Sequence, residues 1–220
     1  MRQKRYLIPA VTAAMMLVVA ACGGDDADDD TPPVAEPTED TTPELTAPPQ
    51  PTEPTEEELA EEDIQAAFER LVVAWEDTKI NTSDYATDES GWAIEVVESW
   101  PVYGDAGLEF ENWISVWGTV GIEQVGDSDV AFHTVKDVEL SDAEQVDLSD
   151  DETVSTATST ACLDQRNLEL VDYNGDPYDA PSDPAQFQTW RMTWQFHPSF
   201  GDDGGWVVVD IALTVDEPCE

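Results

Sequence analysis

Residues 23–54 cannot build a core. They hold eight of the chain's fifteen prolines, ten acidic residues, repeated threonines and no base. Asp25, Asp26, Asp28, Asp29 and Asp30 repel one another, while Pro32, Pro33, Pro37, Pro43, Pro48, Pro49, Pro51 and Pro54 exclude helix and sheet ladder alike. A segment with so little to bury does not offset the entropy of ordering it. We expect a tether there, reaching at most about 100 Å at the polyproline rise of about 3.1 Å per residue and roughly 30 Å as a flexible coil. The aspartates are too floppy to form a calcium cage. Yet 40% of the 220 residues are apolar and eight are tryptophan, too many for a chain disordered throughout. The folded part must therefore lie on the far side of the tether.

What precedes the tether reads as an address. Arg2, Lys4 and Arg5 are followed by an uncharged apolar run from Tyr6 to Ala21. A basic start before an apolar stretch shorter than the roughly 20 residues of a spanning helix is the pattern of an export signal. It ends Val19-Ala20-Ala21-Cys22-Gly23-Gly24, which resembles the bacterial lipobox. That resemblance implies cleavage after Ala21 and a lipid on Cys22, holding the chain on the extracytoplasmic face of the cell membrane. A plain secretory signal or an uncleaved anchor is the alternative. The expected divisions are a signal peptide at 1–21, a tether with its lipid-bearing cysteine at 22–55 and a folded domain at 56–220.

The formal charge is −42, from 50 acidic and eight basic residues, and loss of the leader removes three of those bases. Nucleic acid is excluded as a direct partner, since phosphate binding needs clustered Lys and Arg. Acidic side chains on this scale keep a tethered domain soluble and unaggregated.

The domain opens on a capping box, Thr55-Glu56-Glu57-Glu58. Ile64, Ala67, Phe68, Leu71, Val72 and Trp75 then recur at three- and four-residue spacing, which predicts an amphipathic helix over about 55–78. Trp92, Val96 and Trp100 suggest a second helix stopped by Pro101. Phe110, Trp113, Ile114 and Trp117 suggest a third that loses its pattern at Gly118 and Gly121.

From about residue 125 the period becomes two. Strands are expected over His133–Leu140, Thr153–Cys162, Leu168–Tyr173, 186–197 and 206–216. In 186–197, Gln188, Trp190, Met192, Trp194 and Phe196 share a face. In 206–216, strict alternation would place Val207, Val209, Ile211, Leu213 and Val215 together. Gly201-Asp202-Asp203-Gly204-Gly205 joins the two as a hairpin connection. Helices first and antiparallel strands afterwards is an α+β order.

Several short stretches carry a family resemblance: Thr153–Asp164, Leu168–Asp172 before Asn174-Gly175-Asp176, Gly204–Asp210, and the closing Pro218-Cys219. In layout and in these signatures the chain resembles small actinobacterial surface lipoproteins of the NTF2-like (SnoaL-like, cystatin-like cone) superfamily. The resemblance spans roughly 56–220 and implies N-terminal helices laid across a strongly curved antiparallel sheet. Region 80–150 departs from it, being acidic and rich in tryptophan.

With Cys22 committed to lipid, Cys162 and Cys219 remain as an even pair in an oxidising compartment, where disulfides persist. Neither sits in a CxxC spacing or beside the basic residues that reactive thiols use. A disulfide is the expectation, with Cys162 at the end of its strand.

Catalytic signals are sparse. The resembled superfamily includes enzymes that move a proton with an Asp or Asp/His pair inside the cone, which makes His133 with Asp137 the candidate base. In a domain this acidic some carboxylate lies near any histidine by chance, and no GxSxG, HExxH, phosphate loop or dinucleotide fingerprint occurs. No metal or other cofactor is implied. Trp75, Trp113, Trp117, Trp190 and Trp194 fall at core-facing positions. They either fill the concave side of the sheet or line an apolar pocket for a hydrophobic small ligand or an extracytoplasmic protein. A non-catalytic binding domain is the expectation, with a cone-type isomerase, dehydratase or hydrolase, and a passive structural protein, as the alternatives.

Overall fold

The structure, a computed structural model, describes residues 53–87, 90–141, 154–180 and 185–219, all within one unit, Pro51–Glu220. The expected signal peptide, Cys22 and nearly all of the tether lie outside the described residues.

Helix α1 runs Glu56–Ile80 and starts as its sequence dictates. The Thr55 hydroxyl accepts from the Glu58 N–H at 3.2 Å while the Glu58 carboxylate accepts from the Thr55 N–H at 2.8 Å. Glu56, Glu57 and Glu58 in its first turn and Lys79 in its last complement the helix dipole. Ala60, Ile64, Ala67, Phe68, Leu71 and Trp75 are all buried, so the apolar stripe is the packing face. A single turn, α2 (Thr82–Tyr85), follows, then α3 (Trp92–Val97) and α4 (Gly104–Val120). Trp100 is buried just beyond α3, before Pro101, and not within the helix. Gly118 lies inside α4, and the helix ends instead at Gly121, whose φ of 77° is the left-handed cap that glycine adopts without strain. Gly118 serves packing: a Cβ there would lie 2.5 Å from Cζ2 of Trp92.

The strands are β1 (Ile122–Val125), β2 (Asp129–Glu139), β3 (Thr156–Asp164), β4 (Glu169–Asp172), β5 (Phe187–His197) and β6 (Gly205–Val215). The chain is thus α+β, with helices followed by antiparallel strands. Where one sheet was expected, the described residues form two: four strands in the order β2-β3-β5-β6, and a separate ribbon of β1 with β4. The core lies between the stripe of α1, the inner face of α4 and the inward residues of the larger sheet, Ala157, Ala161, Leu163, Trp190, Met192 and Trp194.

Strict alternation fails in β6. Thr193 pairs with Asp210 but Trp194 with Val208, so Val209 is an extra residue opposite that step. A bulge of this kind reverses facing beyond it. Trp206 and Val208 therefore join Ile211 in the core, and Val209 does not. The bulge also bends β6 where the chain before α4 meets it: Val208 N–H donates to Pro101 O, and Tyr103 N–H to Val208 O.

Cys162 and Cys219 are joined, with Cα atoms 5.7 Å apart. Cys162 lies inside β3 and not at its end, fully buried between Phe132 on β2 and Thr189 on β5. The tail after β6 thus reaches back past β5. Closing a loop between residues 57 apart stabilises the fold by about 4 kcal/mol on the chain-entropy account.

Candidate tryptophan-walled site

Three tryptophans converge where the ends of α1 and α4 meet the small ribbon. Trp75 comes from the stripe of α1, and Trp113 and Trp117 stand four residues apart on one face of α4. With Ile122 of β1, Leu168 and Leu170 across from it and Leu213 of β6, they line an open cavity of about 370 Å³. That volume is within the range of small-molecule sites, which are apolar with a few placed polar groups. Trp113 and Trp117 are only half-buried, and their exposed surface faces solvent that an apolar ligand would displace.

The remaining two expected tryptophans do not line it. Trp190 is fully buried behind the wall, its ring centroid 6.2 Å from that of Trp75 and 6.5 Å from that of Trp113. Its Nε1–H donates to Gln188 Oε1 at 3.4 Å, and Gln188 is itself a lining residue. Trp194 is elsewhere in the core, donating to Ser159 Oγ at 2.8 Å. Edge-to-face contacts tie the wall to its backing: Trp75 with Phe110 at 5.8 Å and with Trp100 at 6.4 Å, and Phe110 with Trp113 at 4.9 Å. Such pairs fix ring orientation and add about 0.5–1.5 kcal/mol each beyond area burial. Trp190 and Trp194 are thus packed in the core, and the other three line the cavity.

The cavity floor carries a buried ion pair. Lys79 Nζ is 2.8 Å from Glu76 Oε1 and 2.7 Å from Gln124 Oε1, and it lies over the faces of Trp75 and Trp117 at 4.9 and 5.7 Å. The Glu76 carboxylate also accepts from the Gln124 side-chain amide, from Ser128 N–H at 3.2 Å and from Ser128 Oγ at 2.9 Å. Burial works against the Glu76 charge. The neighbouring ammonium and the hydrogen bonds from Lys79, Ser128 and Gln124 outweigh it and hold its pKa below the ordinary value. For Lys79 burial is the largest influence and pulls its pKa down, opposed by Glu76 and Asp127. A carboxylate with every lone pair engaged is a poor base, and an ammonium pinned to it is a poor nucleophile. With Gln124 and Ser128 satisfying its remaining hydrogen-bonding groups, the pair fixes this part of the cavity.

Sequence reasoning missed Glu76, Lys79, Gln124 and Ser128. One signal was present: Lys79 follows Trp75 by four residues and so continues the apolar stripe, where a base needs a partner.

The candidate pair His133 and Asp137 is not brought together. His133 stacks on Phe68, with ring centroids 3.9 Å apart, and its Nδ1 lies 2.6 Å from Gln65 Oε1. Desolvation lowers its pKa to about 4 against a small opposing effect of Glu69. Asp137, at the bulged end of β2 with φ of 51°, instead accepts from Thr158 Oγ1 at 3.1 Å.

No helix among the described residues is long and apolar enough to cross a membrane. No family model matches the sequence, and no curated protein matches it. Among solved structures the chain is similar to the intermembrane space region of the chloroplast protein ARC6. The two share 15% sequence identity over 69% of this chain and 96% of that one, with a TM-score of 0.39, a likeness too slight to carry an argument.

Proposed function

We propose that the chain is an exported lipoprotein, anchored by lipid on Cys22 to the extracytoplasmic face of a bacterial membrane, whose folded domain is a non-catalytic binding module of NTF2-like type. Its ligand is a compact apolar or aromatic molecule held against Trp75, Trp113 and Trp117. One observation carries the binding role: an open cavity of about 370 Å³ walled by three tryptophans, two of which, Trp113 and Trp117, the fold leaves half-buried. Helices preceding an antiparallel sheet support the NTF2-like layout. Basic leader, apolar run and Ala21-Cys22 support the anchor. An acidic, proline-rich stretch between the lipid-bearing cysteine and the domain supports a tethered arrangement open to ligands in the surrounding medium.

Two measurements test this. Labelled palmitate supplied to expressing bacteria is expected to enter the wild-type chain and not Cys22→Ala. Tryptophan emission of the full chain is expected to change saturably with a panel of neutral aromatic ligands. Absence of label from the wild-type chain, or equal labelling of Cys22→Ala, contradicts the anchor, and an unresponsive emission across the panel contradicts the binding role.

A further inference from the structure

A second concavity, separate from the tryptophan site, lies between α3, the start of α4 and the β5–β6 connection. Its volume is about 400 Å³. Ile94, Tyr103 and Leu108 line it and are 47%, 53% and 59% exposed, a concentration of large apolar surface that a soluble face normally avoids. Phe200 closes the far side. The Tyr103 ring tilts against His197, centroids 4.8 Å apart, presenting an aromatic face at the rim.

The carboxylates lining this groove have no Lys or Arg among the other lining residues. Glu98 and Glu111 line it, and Asp105 and Glu109 are exposed on α4. Asp202 and Asp203 are exposed in the adjoining connection. Every lining residue comes from two stretches of sequence, and neither contains a lysine or arginine: none occurs between Lys79 and Lys136, nor after Arg191. These carboxylates have no basic neighbour in their own segments to neutralise them. An apolar groove inside an anionic rim repels an anionic membrane surface and a second copy of this chain. It complements apolar side chains flanked by positive charge, which fill the groove while Lys and Arg meet the rim and the Tyr103 face.

We propose that the groove between α3, α4 and the β5–β6 connection docks a cationic amphipathic segment of a partner protein, with Ile94, Tyr103 and Leu108 as the apolar contact and Glu98 and Glu111 as the selecting charges. The proposal stands independently of the tryptophan site.

The probe is a labelled amphipathic Leu/Lys helical peptide, titrated into the full chain by fluorescence anisotropy. Its comparators are the Leu/Glu peptide of the same apolar pattern and an oligolysine of equal charge. The Leu/Lys peptide is expected to bind and the two comparators to bind at least about tenfold more weakly, oligolysine because it has no apolar side chain to seat and the Leu/Glu peptide because the acidic rim repels it. Ile94→Gln with Leu108→Gln is expected to weaken the Leu/Lys complex by about tenfold or more. Glu98→Gln with Glu111→Gln is expected to reduce its salt dependence. All four side chains are at the surface, and near-UV circular dichroism confirms that the variants keep the fold. Three results overturn the proposal: equal binding of oligolysine, equal binding of the Leu/Glu peptide, or unchanged affinity in Ile94→Gln with Leu108→Gln.

Discussion

Lys79 Nζ lies 2.8 Å from Glu76 Oε1 with both side chains buried, one turn apart on the last turns of α1. Burying two charges costs several kcal/mol per ion, so each is tolerable only while the other is present. Glu76→Gln and Lys79→Met are each expected to lower unfolding free energy by about 3 kcal/mol. The Glu76→Gln/Lys79→Met double variant is expected to lose about as much as one single variant, a coupling of about 2 kcal/mol or more. Urea unfolding of the four proteins reads the cycle, and additive losses would show that the two groups do not depend on each other.

Gly118 offers a sharper steric test. Alanine there would gain helix propensity of about 1 kcal/mol, yet its Cβ would lie 2.5 Å from Trp92 and 3.0 Å from Ala86. Overpacking outweighs propensity, and Gly118→Ala is expected to cost a net of about 1–2 kcal/mol. A rise in melting temperature would show that Trp92 yields freely.

His133 makes the domain sensitive to mild acid. Its pKa is lowered to about 4 in the folded chain, against an ordinary value near 6.5 when unfolded. Between these values the unfolded chain binds the extra proton, so stability falls as pH drops from about 6.5 towards 4. Relative to His133→Gln, the wild type is expected to lose about 1 kcal/mol between pH 7 and pH 4.5, partial solvent exposure of the ring reducing the full effect of the shift. Parallel pH profiles of the two proteins would contradict this assignment.

Self-repulsion of the acidic surface gives a salt dependence of the opposite sign to that of a fold held by surface ion pairs. With a formal charge of −42, raising NaCl from low to moderate concentration screens repulsion and is expected to raise the melting temperature. A flat or falling melting temperature would count against it.

Local periodicity made much of this fold legible. The capping box at Thr55, the stripe from Ile64 to Trp75 and the inward set Trp190, Met192 and Trp194 all announce themselves within a dozen residues. What escaped depends on partners far along the chain. β1 is four residues long and turns a polar side chain, Gln124, inward, because Lys79 and Glu76 lie 45 and 48 residues earlier. The bulge at Val209 is invisible to an alternation rule, since it is defined by how β5 pairs with it. His133 answers to Gln65, 68 residues away, and not to the nearby Asp137. Of the five tryptophans expected to face inward, periodicity gave the direction, but only the ends of α1 and α4 meeting β1 and β4 separate wall from filling.

The central claim, that the tryptophan-walled cavity takes an apolar ligand, is tested most directly by titrating the full chain with N-phenyl-1-naphthylamine, a neutral fluorophore that brightens on leaving water. Saturable binding is predicted, weakened by about tenfold in Trp117→Ala, which removes part of the cavity wall, and unchanged in Leu108→Gln, which alters only the separate groove. No saturable signal, or equal affinity in wild type and Trp117→Ala, would contradict the claim.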